Sequence, residues 1–453
     1  MKVGVIGLGY VGATTAVILA GKVVKNNFFF DVIGIEQNSQ KGKIIAEQLN
    51  KGIFPFKYND KSIFDNLKRI KKKKNLNVTT DPKRLSEVDI AIVSLDLGVN
   101  EKSNKFEDNN FKNAINDLGE LIREDALIII ETTVPIGFTR KVIYPIIKKK
   151  FIKRGLNFKK INLAHSFERV TPGKNYINSI SNSHRVYSGI NKKSKLLCKL
   201  FLKTFINYKE YPLTELDTTD ASEFTKILEN SFRTVNIAFI EEWRKFSEHL
   251  NIDLEKLINT IRLRKTHANI MMPGLGVGGN CLTKDPKFGE LSSNIIFKKK
   301  LKFPITSNAL KINGEMLKFN INKIEYYFKK SIKSIKKILI FGLTYKENVC
   351  DLRNSPSLKL GEYFKEKKYD VYFYDPYLEK KFNGLKILKK LSDLRSFDCI
   401  IFCVKHEEFK SINFKKLKIK NEAVVFDSNL VLSSIQQKDL SKKNIFLKKV
   451  GLN

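Results

Sequence analysis

Apolar runs of strand length alternate with stretches of helical period at both ends of this chain, and a long amphipathic segment lies between them. Near the amino terminus, Lys2-Val3-Gly4-Val5-Ile6 predicts a buried strand, and Ala13 to Leu19 predicts an apolar helix. Phe30 to Ile35, Val88 to Ser94, Leu127 to Ile130 and Ile161 to Ala164 predict further strands. Such continuous apolar runs suit a parallel sheet, whose strands are covered on both faces. The pattern restarts with Lys337 to Leu343 and continues through Val371 to Pro376, Cys399 to Val404 and Ala423 to Asp427, with a helix over Ser357 to Lys365.

Between these blocks, Asp217 to Leu250 carries a long helical period. Ala221, Phe224, Ile227, Leu228, Phe232, Val235, Ala238, Phe239 and Trp243 recur at its spacing, with Thr218 or Thr219 as cap. A stripe this long needs cover, either from a second copy of the chain or from its own last domain. Glu223, Lys226 and Asn230 share another face. On such a flank a lysine and an amide can simply meet water; turned towards a reacting carbonyl they would polarise its oxygen. A second helix is expected over Leu254 to Ile261. The expected fold is α/β, with two Rossmann-like doubly wound domains (1–190 and 322–453) joined by a helical middle domain (191–321) that contains a long central helix.

At 453 residues the chain fits about three domains. The net charge of +36 raises nucleic acid or a membrane surface as partner. The lysines, however, are spread along the whole length and form no recognisable module, so neither partner is expected. The field would still steer small anions. Five scattered cysteines indicate neither a disulfide framework nor a zinc knuckle. Lys2 and the apolar stretch after it imitate a signal peptide, but glycines interrupt it, and no segment reaches the roughly 20 apolar residues of a span. A cytoplasmic location is expected.

Gly7-Leu8-Gly9-Tyr10-Val11-Gly12 follows the first strand and opens the first helix, and Glu36 ends the second strand. In that context the glycines form a dinucleotide fingerprint: one makes the turn, one admits the pyrophosphate, one packs helix on strand. Glu36 would hold the ribose 2′-hydroxyl and repel a 2′-phosphate, so NAD is the expected cofactor. Thr133 and Glu168 follow later strands, where a parallel sheet presents its ligands; alternatively Thr133 only caps its turn and Glu168 only pairs with Arg169. Pro273 to Pro286 crowds four glycines just before Cys281, with Lys284 and Asp285 after it. That is the neighbourhood of a reachable, charge-tuned thiol. Upstream, Arg262, Arg264, Lys265 and His267 could meet an anion or be an ordinary basic linker. In the last domain Lys346 and Arg353 suit phosphate contact.

Taken in order, Gly7 to Gly12, Asn50 to Phe56, Thr132 to Gly137, Glu168 to Gly173, Lys226 with Asn230, Gly276 to Asp285 and Gly342 to Pro356 make the chain resemble the UDP-glucose/GDP-mannose dehydrogenase family over essentially its whole length. The resemblance implies oxidation of the C6 alcohol of a UDP-sugar to the carboxylate, with NAD as acceptor, in a homodimer formed through the central helix. It also implies roles. Cys281 would be the nucleophile, passing through a thiohemiacetal and a thioester. Lys226 and Asn230 would hold the oxyanion, Asp285 and Thr133 would handle protons, and Glu168 would serve hydrolysis. Gly7, Gly9, Tyr10, Val11, Gly12, Glu36, Thr133, Lys284 and Arg353 would contact NAD. Glu168, Arg169, Lys226, Asn230, Gly278 and Lys346 would contact the sugar nucleotide. Glu168 to Gly173, with Pro172, looks like the branch acting on UDP-N-acetylhexosamines for surface polysaccharide. UDP-glucose, then GDP-mannose, and a non-catalytic sensor of NAD or nucleotide sugar are the alternatives.

Overall fold

The computed structural model describes Met1 to Leu452 except residues 26, 57–59, 101–102, 171–175, 332–333, 379–383, 389, 392 and 444. Thr171, Pro172 and Gly173, which carry the hexosamine reading, lie outside the described residues. The chain divides into two units: 1–229 with 287–302, and 230–286 with 303–453.

In the first unit the apolar runs become the strands β1 (Lys2–Ile6), β2 (Asp31–Ile35), β3 (Leu76–Thr79), β4 (Ile90–Val93), β5 (Leu127–Ile130) and β6 (Asn162–His165). They lie parallel in the order β3-β2-β1-β4-β5-β6, the doubly wound dinucleotide-binding arrangement. β4, β5 and β6 are buried at every position, as a sheet covered on both faces requires. Helix α1 (Tyr10–Ala20) packs Ala13, Ala16 and Val17 onto one face, and Phe111, Ile115 and Phe138 cover the other. Two strands extend the sheet: β7 (Arg185–Gly189), antiparallel to β6, and β8 (Leu213–Glu215). Neither is an apolar run, which is why the hydrophobic pattern does not predict them.

The long helix is α2 (Thr219–His249), followed by α3 (Leu254–Arg262). On α2, Phe224, Leu228, Phe232, Phe239, Trp243, Phe246 and Leu250 are each about half exposed. Their spacing puts them on one stripe. Lys226 and Asn230, in contrast, are only 8% exposed, which removes the alternative that they face water.

A second long helix, α4 (Pro304–Lys330), runs through the boundary expected at 321/322. Its Ile321, Ile324 and Tyr327 pack onto the second sheet. That sheet holds β9 (Lys337–Phe341), β10 (Asp370–Tyr374), β11 (Cys399–Phe402), β12 (Val424–Asp427) and β13 (Phe446–Lys449), all parallel, in the order β10-β9-β11-β12-β13. Helix α5 (Pro356–Glu366) is capped by Ser355, whose hydroxyl accepts from Leu358 N–H. Among the described residues no helix is long and apolar enough to cross a membrane.

Candidate functional site

In the first unit the glycine turn has the shape of a pyrophosphate cradle. Gly7 has φ +85°, and its N–H bonds Ile35 O at 2.9 Å. A Cβ on Gly12 would lie 1.9 Å from Gly7 O, so that position admits only glycine, whereas a Cβ on Gly9 would meet nothing within 4 Å. Open space therefore stands before the first turn of α1, where backbone N–H groups and the dipole favour an anion. Glu36 reaches the same turn: Leu8 N–H donates to its carboxylate at 2.7 Å and Gln37 N–H at 3.1 Å. Tyr10 stacks on Phe56 at 4.2 Å, which joins the Asn50 to Phe56 motif to this turn. Tyr176 donates to Tyr10 O at 2.6 Å. These features fit NAD.

At the carboxyl end of β6, Lys226 Nζ donates to the Glu168 carbonyl at 3.0 Å and lies over the Phe167 ring. The Glu168 carboxylate accepts from Val170 N–H. Arg169 does not pair with Glu168. Its guanidinium sits on Glu229 of α2, at 2.9 Å from Nη2, and on His184 O, so an ion pair already engages this expected substrate contact. Thr133 is half-buried in a loop that Glu223 holds from α2. Gly137 N–H and Thr139 N–H donate to that carboxylate at 2.5 and 2.8 Å. Burial pushes the Glu223 carboxyl up to about 8, against these hydrogen bonds.

A buried polar cluster that sequence reasoning missed lies at the same strand ends. Glu131 forms an ion pair with Arg185 and accepts from Thr15 of α1 at 3.2 Å. His165 bonds the Ser222 hydroxyl at 2.7 Å, and burial lowers its pKa to about 3. Position at the end of apolar β5 and β6 was the available signal for both.

In the second unit, Cys281 is exposed and begins a single helical turn, Cys281–Lys284. Asp285, 1% exposed, bonds Cys281 O through its N–H at 2.9 Å. Its carboxylate accepts from Asn230 Nδ2 of α2 at 2.7 Å. The glycines before the cysteine serve close approach. A Cβ on Gly278 would stand 2.7 Å from Tyr345 Cβ, and one on Gly279, at φ +74°, would stand 2.8 Å from the Tyr345 ring. Gly279 N–H bonds Arg353 O at 2.9 Å, and Asn354 Nδ2 donates to Gly279 O at 3.1 Å. Burial, with Asp351 and Cys281 nearby, pushes the Tyr345 hydroxyl up to about 12. Burial, helped by Arg233, lowers the Lys346 pKa. The exposed Arg353 is clasped by Asp351, at 2.6 Å from Nη2. Lys284 is half-buried. Of the basic residues upstream, Arg262 donates to Ile270 O at 2.6 Å.

The second Rossmann-like sheet repeats the first turn with one change. Leu343 N–H donates to Asp375 at 2.7 Å, as Leu8 does to Glu36. Asp375, however, is buried and also accepts from Thr344 N–H, Tyr377 N–H and His406, the last at 3.2 Å.

Three models of one family match the chain: the NAD binding domain of the UDP-glucose/GDP-mannose dehydrogenase family over residues 1–205, its central domain over 220–315, and its UDP binding domain over 339–434. A UDP-N-acetyl-D-mannosamine dehydrogenase of Methanococcus vannielii is 31% identical, over 96% of this chain and 95% of that protein. One of Methanocaldococcus jannaschii is 32% identical, over 98% and 95%. The solved UDP-D-ManNAc dehydrogenase of Pyrococcus horikoshii superposes with a TM-score of 0.80 at 26% identity, covering 100% of this chain and 99% of that one. The chain belongs to the UDP-glucose/GDP-mannose dehydrogenase family, the NAD-dependent nucleotide-sugar dehydrogenases.

Proposed function

We propose that this protein oxidises the C6 alcohol of UDP-N-acetylmannosamine to the carboxylate, supplying a uronic acid for surface polysaccharide. The curated relatives described above carry that activity in their names, and the UDP binding model over residues 339–434 supports the UDP moiety. The observation that carries the chemistry is the fixed turn around Cys281, an exposed thiol whose helical turn is tied through Asp285 to Asn230.

NAD, when bound, accepts the hydrides. The chain's residues do the rest. The Asp285 carboxylate takes up the proton of the C6 hydroxyl, relayed by the Thr133 hydroxyl and a water, as the first hydride leaves, giving an aldehyde. Cys281 Sγ adds to the carbonyl carbon, forming a C–S bond and a thiohemiacetal. Lys226 and Asn230 hold the oxygen; the Asn230 amide has one N–H left for this after bonding Asp285. Loss of the second hydride and a proton leaves a thioester. Water, assisted by Glu168, adds to it; the C–S bond breaks, and carboxylate and thiol are released. Tyr10, Val11 and the three glycines cradle the dinucleotide, Glu36 takes its ribose, and Lys284 and Arg353 contact it. Gly278 and Lys346 meet the sugar nucleotide. The α2 stripe pairs with the same stripe of a second copy, making a homodimer. The parts are a cofactor domain over 1–190, a middle domain over 191–321 and a nucleotide domain over 322–453.

The test is NADH formation with UDP-N-acetylmannosamine, UDP-N-acetylglucosamine, UDP-N-acetylgalactosamine, UDP-glucose and GDP-mannose, with Cys281→Ser alongside. Turnover confined to the mannosamine, lost in Cys281→Ser, is expected. Turnover of UDP-glucose alone overturns the substrate; full turnover by Cys281→Ser overturns the mechanism.

A further inference from the structure

The start of the cysteine loop is gripped by buried charges that the chemistry above does not use. Arg244 of α2 is fully buried. Its Nε donates to Glu248 at 2.8 Å, Nη1 to Glu241 and to the Gly274 carbonyl at 3.0 Å each, and Nη2 to Asn320 Oδ1 at 2.7 Å. Glu241 accepts from Gly274 N–H at 2.9 Å. Asn320 of α4 donates to the carbonyls of Gly274 and Leu275 at 3.1 and 3.0 Å. Both polar groups of the Gly274 backbone are therefore held by side chains from two helices.

The same cluster reaches the segment after β13. Glu248 Oε1 also accepts from Lys323 Nζ at 2.9 Å and from Gly451 N–H at 2.8 Å. Lys323 donates to the Leu452 carbonyl at 3.1 Å. Lys449 bonds Asp253 and Glu255 at 2.9 and 3.0 Å.

A buried cluster of ions gives little net stability over apolar side chains of the same volume. What it supplies is direction, because each bond is met only in one geometry. A run of glycines is the stretch that most needs it, since glycine has the largest backbone freedom to lose. Nearer the cysteine, Arg353 O and Asn354 hold Gly279, and beyond it the Asn230–Asp285 bond holds the far end of the loop. Cys281 rides between the Gly274 and Gly279 anchorages on one side and Asp285 on the other.

We propose that Arg244, with Glu241 and Asn320, is the positioning residue for the Cys281 loop, and that residues 449–452 belong to the same clamp through Glu248 and Lys323. The proposal rests on the reading of Cys281 as nucleophile. A misplacement on the order of 1 Å costs bond formation about 100-fold. Addition of the thiol to the aldehyde carries that loss. Removal of the first hydride, which makes no bond to sulfur, carries less of it.

The experiment compares the full-length chain with Asn320→Leu, Lys323→Met and Arg244→Lys, each checked for native circular dichroism. One readout is the rate at which iodoacetamide alkylates Cys281, which needs no substrate. The other is NADH formed per sugar consumed, with released aldehyde trapped by hydroxylamine. Expected in the folded variants is an alkylation rate moved by about threefold or more towards that of an unstructured cysteine, together with loss of the second NADH and appearance of trapped aldehyde. Wild-type alkylation, with both hydride transfers unchanged or slowed by a common factor, overturns the proposal. Should Arg244→Lys not fold, Asn320→Leu, which keeps the side-chain volume, decides it. Should no nucleotide sugar be turned over by the parent protein, the functional reading fails, and alkylation alone still decides the positioning claim.

Discussion

Single side chains on α2 carry most of what can be tested by substitution. Glu223 holds the loop of Thr133 through Gly137 and Thr139, and its carboxyl titrates near 8 instead of 4.5 because it is buried. A carboxyl whose folded pKa is raised contributes stability that is complete below the unfolded value and is lost as pH rises through the folded one. The melting temperature of the parent protein should therefore fall, relative to Glu223→Gln, as pH rises from 4.5 to about 8; parallel curves would contradict this. Asn230 donates to a carboxylate that is 1% exposed. Asn230→Ala removes that donor, so urea unfolding should report a loss of about 1–3 kcal/mol. The glycine turn, Glu36 and the cysteine with its Asp285 were legible in the sequence because each needs a particular residue type at a particular spacing. Glu131, Arg185, Glu241 and Arg244 were not. A buried charge reads like a surface charge until its partners, here as many as 76 residues away, are known.

Among the elements, the strands of both sheets were readable because burial on two faces writes continuous apolar runs. α4 was not, and the reason lies in its asparagines. Asn313 and Asn320 interrupt the apolar period yet are buried, donating to Thr234 O and Gly274 O. The residues that look like solvent positions are the ones turned inward. α2 shows the converse. Of the apolar positions readable on it, Ile227 and Ala238 are buried, but Phe224, Leu228, Phe232, Phe239 and Trp243 stay half exposed in one chain, as does Phe246. Covering the exposed half of each of these is worth about 1 kcal/mol, and a stripe that meets its own copy is self-complementary. Phe232→Glu with Phe239→Glu should convert the sedimenting species from dimer to monomer at micromolar concentration; an unchanged dimer would put the interface elsewhere.

For the molecule as a whole, a net charge of +36 acts at a distance. A nucleotide sugar carries negative charge, so its KM should rise about severalfold between low salt and 0.3 M salt as the field is screened. A KM insensitive to salt would confine the effect to local contacts. The two sheets follow the two usual doubly wound orders, and they differ in one respect that matters. Both acids accept from backbone N–H groups, but Glu36 is only half-buried on its turn, while Asp375 is buried and also bonded to His406. The second turn thus presents its acid buried, and the berth for the dinucleotide is the glycine turn within the NAD binding domain, residues 1–205. An oxidation that removes two hydrides must then empty and refill that berth midway. During the exchange the half-oxidised sugar has to wait somewhere it cannot diffuse away. A covalent bond to sulfur is such a waiting place, and the lifetime of that bond sets how long a spent dinucleotide has to leave.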